Sequence, residues 1–271
     1  MSLLAVARKD FQDTVRSRAM ILLVALFSGL VSVMAYAVRP GPETDAFATE
    51  LLLSVFVGPI LVTTLVPLVA VVVGYNAVSG ERESGSLKLL LSLPHSRADV
   101  VFGKVAGRAA ALSLAVFAGF LLPAVILAAI PVSFNAGSYL GYTVFAAILA
   151  CVFVAIAVGC SAAASTQRRA LIGGVGVYFL FVLFWSTLTG QLLSAFDPVV
   201  DVLPVSRVQI ATFLEVANPT TGIQLLTNAF LGEGLFAGET VNQQISATAM
   251  LVFWTLAPPL AGLLKFERDD L

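Results

Sequence analysis

The sequence predicts an all-α membrane protein with six transmembrane helices, an N-terminal amphipathic interface helix and a short cytoplasmic helix between spans two and three. Three observations carry this expectation. Of 271 residues, 59% are hydrophobic and 11% charged, less than half the roughly 25% charged share of soluble domains. Six apolar stretches fall within the ~17–25 residues that a helix needs to cross a bilayer core of about 30 Å. Thirteen of the fifteen lysines and arginines lie in segments that six spans would leave on one side.

At the N-terminus, Leu3, Leu4, Ala7, Phe11 and Val15 share one helical face, with Arg8, Lys9, Asp10, Gln12, Asp13 and Arg16 largely elsewhere. The pattern predicts an interface helix led by Arg8, Lys9, Phe11 and Arg16; a basic stretch that only sets topology is the plainer alternative. Span one is Ala19–Val38. Its Ala35-Tyr36-Ala37 imitates a signal-peptide cleavage site, but the apolar run exceeds the ~7–15 residues of a signal core, so a retained helix is expected. The other spans are Leu51–Val73, Ala109–Ile130, Tyr139–Ala163, Leu171–Leu188 and Ile245–Leu264. Pro59, Pro67, Pro123, Pro258 and Pro259 fall inside them, as membrane bundles tolerate. Gly173, Gly174 and Gly176 permit close helix contact. Between spans five and six, residues 189–244 carry two helical patterns, Leu203–Val216 and Thr220–Leu231, divided by Asn218-Pro219. The second fits re-entry into the membrane and is too short to span it.

Orientation follows from the basic residues. Arg8, Lys9, Arg16, Arg18, Arg82, Lys88, Arg97, Lys104, Arg108, Arg168, Arg169, Lys265 and Arg268 fall on one side; only Arg39 and Arg207 fall on the other. Both termini are therefore expected in the cytoplasm. The opposite side carries Glu43, Asp45, Glu50, Asp197, Asp201, Glu215, Glu233 and Glu239, an acidic face that reads most simply as solvated surface.

Several chemistries are disfavoured. A formal net charge of −1 offers no basic face to a nucleic acid. One histidine and two cysteines leave no metal set or disulfide framework. Cys151 and Cys160 would sit on opposite faces of one helix, roughly 13 Å apart. No His-Glu-x-x-His motif occurs, and His95 lies in a loop. Ser161 has no evident base in any span and reads as a packing or backbone-bonding serine rather than a nucleophile. No charge lies near a span centre, which weakens a proton-coupled transporter. Tyr75, Asn76 and Ser79 form a polar cluster at the end of span two, read as helix-end hydrogen bonding or as a pathway lining.

The apolar pattern is broken by Gly80-Glu81-Arg82-Glu83-Ser84-Gly85-Ser86-Leu87-Lys88-Leu89-Leu90-Leu91-Ser92-Leu93-Pro94-His95-Ser96-Arg97. Leu87, Leu90 and Leu91 recur at helical spacing after Gly85 and stop at Pro94. Ser96-x-x-Asp99 ahead of Val100-Val101-Phe102 forms a capping box that starts a helix through Lys104 and Arg108. This predicts a short apolar-faced helix at the cytoplasmic mouth. Its leucines pack on the chain's own core, on the lipid interface or on another subunit.

The run from Glu81 to Arg97, with Gly103-Lys104 after it, resembles the signature loop of type-2 ABC-transporter permeases. Ala7-Arg8-Lys9-Asp10-Phe11 and Arg16-Ser17-Arg18 resemble that family's interface helix, with Asp10 where glutamate is more usual. The end, Phe266-Glu267-Arg268-Asp269-Asp270-Leu271, resembles the subgroup linked to maturation of a copper enzyme, nitrous-oxide reductase. The resemblance covers the whole chain and implies one permease domain over 1–271, with interface helix 1–18, coupling loop 79–104 and extracytoplasmic segment 189–244. It implies a non-enzymatic transport subunit of the plasma membrane, most simply an exporter. Two such subunits, a homodimer in the simplest case, pair with two ABC ATPase subunits that hold the ATP and Mg; no cofactor is expected in this chain. In that pattern the helix Leu87–Leu91, bounded by Gly85 and Pro94, enters a groove on the ATPase. Glu81 and Glu83 supply polar contacts at its base, and Arg97 and Lys104 flank it. The sequence agrees in having no phosphate-binding Gly-x-x-x-x-Gly-Lys-Ser/Thr loop. The competing reading is a motor-independent secondary transporter or membrane scaffold.

Overall fold

The computed structural model describes residues 2–37, 53, 61–92, 96–129, 134–200, 206–232 and 234–268. Among these the chain is helical, with no strand. The helices are α1 (Ser2–Val15), α2 (Arg18–Ala37), α3 (Val66–Gly74), α4 (Ser79–Glu83), α5 (Ser86–Ser92), α6 (Arg97–Ala129), α7 (Ala136–Ala163), α8 (Gln167–Tyr178), α9 (Trp185–Val200), α10 (Arg207–Ala217), α11 (Pro219–Leu231) and α12 (Val241–Arg268). A π-helical turn, Phe179–Phe184, joins α8 to α9.

Among the described residues, five helical stretches are long and apolar enough to cross a membrane: Leu61–Glu83, Arg97–Ala129, Ala136–Ala163, Gln167–Ala195 and Val241–Arg268. The α1–α2 pair, bent by 62° between Leu3–Val15 and Met20–Val33, makes a sixth when counted as one broken span. The four expected stretches from Ala109 to Leu264 fall on helices longer than their apolar cores, and Ala19–Val38 falls on the second arm of the bent pair. The first part of the expected span Leu51–Val73, with Pro59, lies outside the described residues apart from Leu53. So do Arg39, the acids Glu43, Asp45, Glu50, Asp201 and Glu233, the loop residue His95, and the end of the tail. Helices α6 and α12 run on through Pro123 and through Pro258 and Pro259.

Helix α7 is the centre. Every residue from Val152 to Val158 is at most 2% exposed, the signature of a helix apolar on all sides and surrounded by others. Helices α3, α6, α8, α11 and α12 pack around it, while Ile21, Leu22, Leu26, Leu256, Leu260 and Leu264 face outward. Lipid tails are as apolar as these side chains, so packing must come from close approach. Helices α7 and α12 achieve it through glycine. A Cβ on Gly262 would stand 2.4 Å from the Gly159 carbonyl oxygen, and one on Gly159 2.5 Å from Pro258 backbone atoms. Of the cluster expected to serve this purpose, Gly174 meets Val71, whereas Gly176 faces open space.

Asn218-Pro219 divides α10 from α11 as expected. Asn218 Oδ1 accepts the Thr220 amide at 2.8 Å, and its Nδ2 donates to the Phe181 carbonyl in the π turn at 2.8 Å. The indoles of Trp185 and Trp254 donate to the Leu214 and Ala217 carbonyls at 3.0 and 2.8 Å, taking up carbonyls that a helix end leaves without intrahelical partners. Buried Thr220, Ile223, Leu226 and Thr227 tuck α11 against α7 and α12. Cys151 and Cys160 are free thiols.

Candidate functional site

The charged loop lies where the ends of several helices meet. Helix α6 starts from a reciprocal cap: the Ser96 amide and hydroxyl donate to Asp99 Oδ2 at 3.0 and 2.7 Å, and the Asp99 amide donates to Ser96 Oγ at 3.0 Å. One turn further, Gly103 and Gly107 stand four residues apart on one face. Helix α1 lies in this notch. A Cβ on Gly103 would stand 2.8 Å from Val6 Cβ and 3.0 Å from the Leu3 carbonyl oxygen; one on Gly107 would stand 2.5 Å from the Ala7 carbonyl oxygen.

This near-contact of backbones carries Asp10 between two cations of α6. Lys104 Nζ lies 3.2 Å from Asp10 Oδ1 and 2.7 Å from Glu81 Oε1, and Arg108 Nε lies 3.1 Å from Asp10 Oδ2. Arg108 Nη1 also donates to Asn76 Oδ1 at 2.8 Å and to the Val73 carbonyl. Asp10 is 8% and Lys104 3% exposed. Two acids and two bases thus neutralise each other inside the protein, as burial of charge requires. They join α1, α4 and α6 with the end of α3. Glu81 Oε2 is buried without a hydrogen-bond partner among the described residues.

Three further ties hold the loop. Ser161, fully buried near the end of α7, accepts the amides of Val78 and Ser79 at 3.0 and 3.1 Å, with its Oγ 3.1 Å from Ser79 Oγ. This is a backbone-bonding serine; Ser79 donates to the Tyr75 carbonyl at the helix end, whereas the Asn76 side chain accepts from Arg108 of α6. Glu83 accepts from the Gln167 amide and from Gln167 Nε2, both at 2.9 Å, placing a carboxylate at the positive end of the α8 dipole. Fully buried Phe266, near the end of α12, lies between two guanidinium groups. The Arg82 and Arg97 carbons sit 5.1 and 4.8 Å from its ring centroid, and Arg97 also donates to the Phe266 carbonyl. Such contacts strengthen where the cation is desolvated.

Expected site residues therefore separate into two sets. Glu81, Glu83, Arg97 and Lys104 are brought together as internal ties; Lys104, expected to flank a docked partner, is buried. Gly85 makes the turn between α4 and α5 at φ +76°, a backbone region open to glycine. Leu87 is 1% exposed and packs in the chain's own core. Leu90 and Leu91 fall on α5, but their side chains, like Pro94, lie outside the described residues. On α1, Arg8 and Lys9 are exposed and Phe11 is half-buried, and Arg16, just after the helix, is exposed. Val6 and Asp10 are buried against the bundle, whereas Leu3 and Leu4, on the face expected to meet the membrane interface, are 41% and 76% exposed. The α6 notch and its two cations, not apolar content, set the face. Sequence reasoning passed over Asp10, Arg108, Gln167 and Phe266 as site residues. The available signal was Gly103-x-x-x-Gly107 with Lys104 and Arg108 at the same spacing.

Comparison with known proteins agrees with this architecture. Two relatives are each described as a probable ABC transporter permease protein NosY. The one from Pseudomonas aeruginosa is 35% identical over 188 residues, 66% of each chain, just under two thirds of that relative's length. The one from Stutzerimonas stutzeri is 29% identical over 242 residues, 86% of this chain and 84% of the relative. The relatives are consistent with the subgroup that the charged tail resembles. The pattern of the ABC-2 family of transporter proteins matches residues 4–271; the chain belongs to that family and is a multi-pass membrane permease component of an ABC transporter.

Proposed function

We propose that this permease couples ATP hydrolysis in a separate ABC ATPase to an access change among its spans, through the segment Ser79–Arg97. One observation carries the reading: this short segment is tied to α1 and α6 by Asp10, Glu81 and Lys104, to α7 by Ser161, to α8 by Glu83 and to α12 by Phe266. A load applied there reaches most of the bundle through buried ion pairs and hydrogen bonds, as rigid-body switching between discrete packings requires. The exposed Lys88 and the base of α5 form the face offered to the motor, while Leu87 anchors that helix inward. The permease acts as a homodimer with two ATPase subunits in the cell membrane, termini in the cytoplasm, and works as an exporter. ATP and Mg are held by the motor.

The test is reconstitution of the full chain with the ABC ATPase that copurifies with it. The permease raises ATP turnover, and Phe266→Leu, which keeps an apolar side chain but removes the ring, lowers that stimulation while the two proteins still bind. Absence of any copurifying ATPase, or stimulation unchanged by disruption of the loop, rejects the coupled reading.

A further inference from the structure

A second site lies far from the coupling loop. Tyr142 and Ser161 are nineteen residues apart on α7, about 28 Å along the helix axis. At the Tyr142 end, a cavity of about 170 Å³ opens between α7, α11 and the stretch before α3. One water needs only ~10–15 Å³ by the same measure, so this space is roughly tenfold larger and admits a solute of several non-hydrogen atoms.

Its polar lining is Tyr142, Thr63, Gln224, Thr227 and Asn228, and among the described residues no Asp, Glu, Lys, Arg or His contributes. Tyr142 is 4% exposed, yet its hydroxyl has no hydrogen-bond partner among the described residues. The contrast with Tyr139, one turn earlier, is direct: its hydroxyl donates to the Phe120 carbonyl at 2.8 Å. Phe120 also packs against Tyr142, centroids 6.0 Å apart, fixing the ring while leaving the hydroxyl to the cavity. A hydroxyl that opens onto a cavity is available to bond to a solute held there. Thr227 donates its own hydroxyl proton to the Ile223 carbonyl at 2.7 Å and so faces the cavity as an acceptor. The amides of Gln224 and Asn228 add a donor and an acceptor each.

We infer that this cavity is a binding site for a small uncharged molecule carrying both hydrogen-bond donors and acceptors, of the size and polarity of a primary amide or short polyol. A charged solute would shed its hydration with no counter-charge in the lining. The site stands whether or not an ATPase drives the protein.

Acetamide and acetate, matched in shape and differing in charge, are the probes. Thr227→Cys is made in the full chain with Cys151→Ala and Cys160→Ala, in nanodiscs, and its modification by neutral methyl methanethiosulfonate is timed. Acetamide slows the reaction saturably and acetate at equal concentration does not. Tyr142→Phe weakens acetamide protection about 3–10-fold, the worth of one hydrogen bond, each variant being scored against its own unprotected rate. Protection that does not saturate, equal protection by acetate, or protection indifferent to Tyr142→Phe reduces the cavity to a water-filled space and overturns the inference. Where Thr227→Cys fails to fold, Ala146→Cys on the facing wall is read in the same way.

Discussion

Lys104 and Asp10, ninety-four residues apart in sequence, share a buried ion pair of 3.2 Å. The pair closes because Gly103 and Gly107 let the backbone of α1 rest on α6; a longer approach would leave the carboxylate short of both cations. Packing here comes first and electrostatics follows. Helix α1 is thereby fixed to the helix that follows the charged loop.

Removing Lys104 leaves Asp10 and Glu81 facing one another with only Arg108 to offset them. Breaking a buried pair by deleting one partner costs about 3–5 kcal/mol. Lys104→Met is expected to lower the thermal unfolding midpoint of the purified permease accordingly. Adding Glu81→Gln to it restores part of the loss, because the two residues couple directly by about 0.5–3 kcal/mol. Strictly additive losses in the double variant would show that the 2.7 Å contact carries no energy.

Gly107→Ala places a methyl group 2.5 Å from the Ala7 carbonyl oxygen, and neither helix backbone has a flexible end to give way. Overpacking of this kind costs about 1–3 kcal/mol. The expected outcome is faster amide exchange confined largely to α1, together with a lower midpoint. Gly176→Ala meets nothing within 4 Å and gains helix propensity of roughly 0.5–1 kcal/mol. Hydrogen-exchange mass spectrometry on both variants separates a docking glycine from a tolerated one.

The contrast between those glycines shows what the sequence could carry. Spans, the Ser96–Asp99 cap and the Asn218-Pro219 break were legible because each depends on residues within a few positions. The charged loop was legible as an interruption of apolar sequence. The face of α1 that meets the bundle was not: the amphipathic pattern marks Leu3 and Leu4 for the membrane interface but gives no sign that Asp10 is buried, because its partners come from α6. Gly103-x-x-x-Gly107 is as plain in sequence as the Gly173–Gly176 cluster, and only the third dimension shows which of them meets another backbone. Lys104 read as a surface cation for the same reason, since the acids that bury it lie on two other helices.

Ser161 is the acceptor for two buried amides at the start of α4. Ser161→Ala strands both N–H groups, with a cost of about 1–3 kcal/mol. Much of that cost is expected locally, as exchange at Val78 and Ser79 accelerated by about tenfold or more. ATPase stimulation in the reconstituted complex should fall with it, since the loop loses its tie to the central helix. Unchanged exchange at those two amides would mean that Ser161 does not hold the loop.

The orientation proposed from the basic residues makes a sharp expectation at two exposed positions, Lys88 and Glu239. Lys88 is on α5 within the charged loop, and Glu239 precedes α12, at the other end of that helix from Phe266. Each is changed to cysteine with Cys151→Ala and Cys160→Ala, and intact cells are treated with a membrane-impermeant maleimide. Glu239→Cys is modified from outside, and Lys88→Cys only after the membrane is opened. Modification of both from the same side would break the inference that an odd number of crossings separates them. It would also remove the coupling segment from the compartment in which an ATPase motor works.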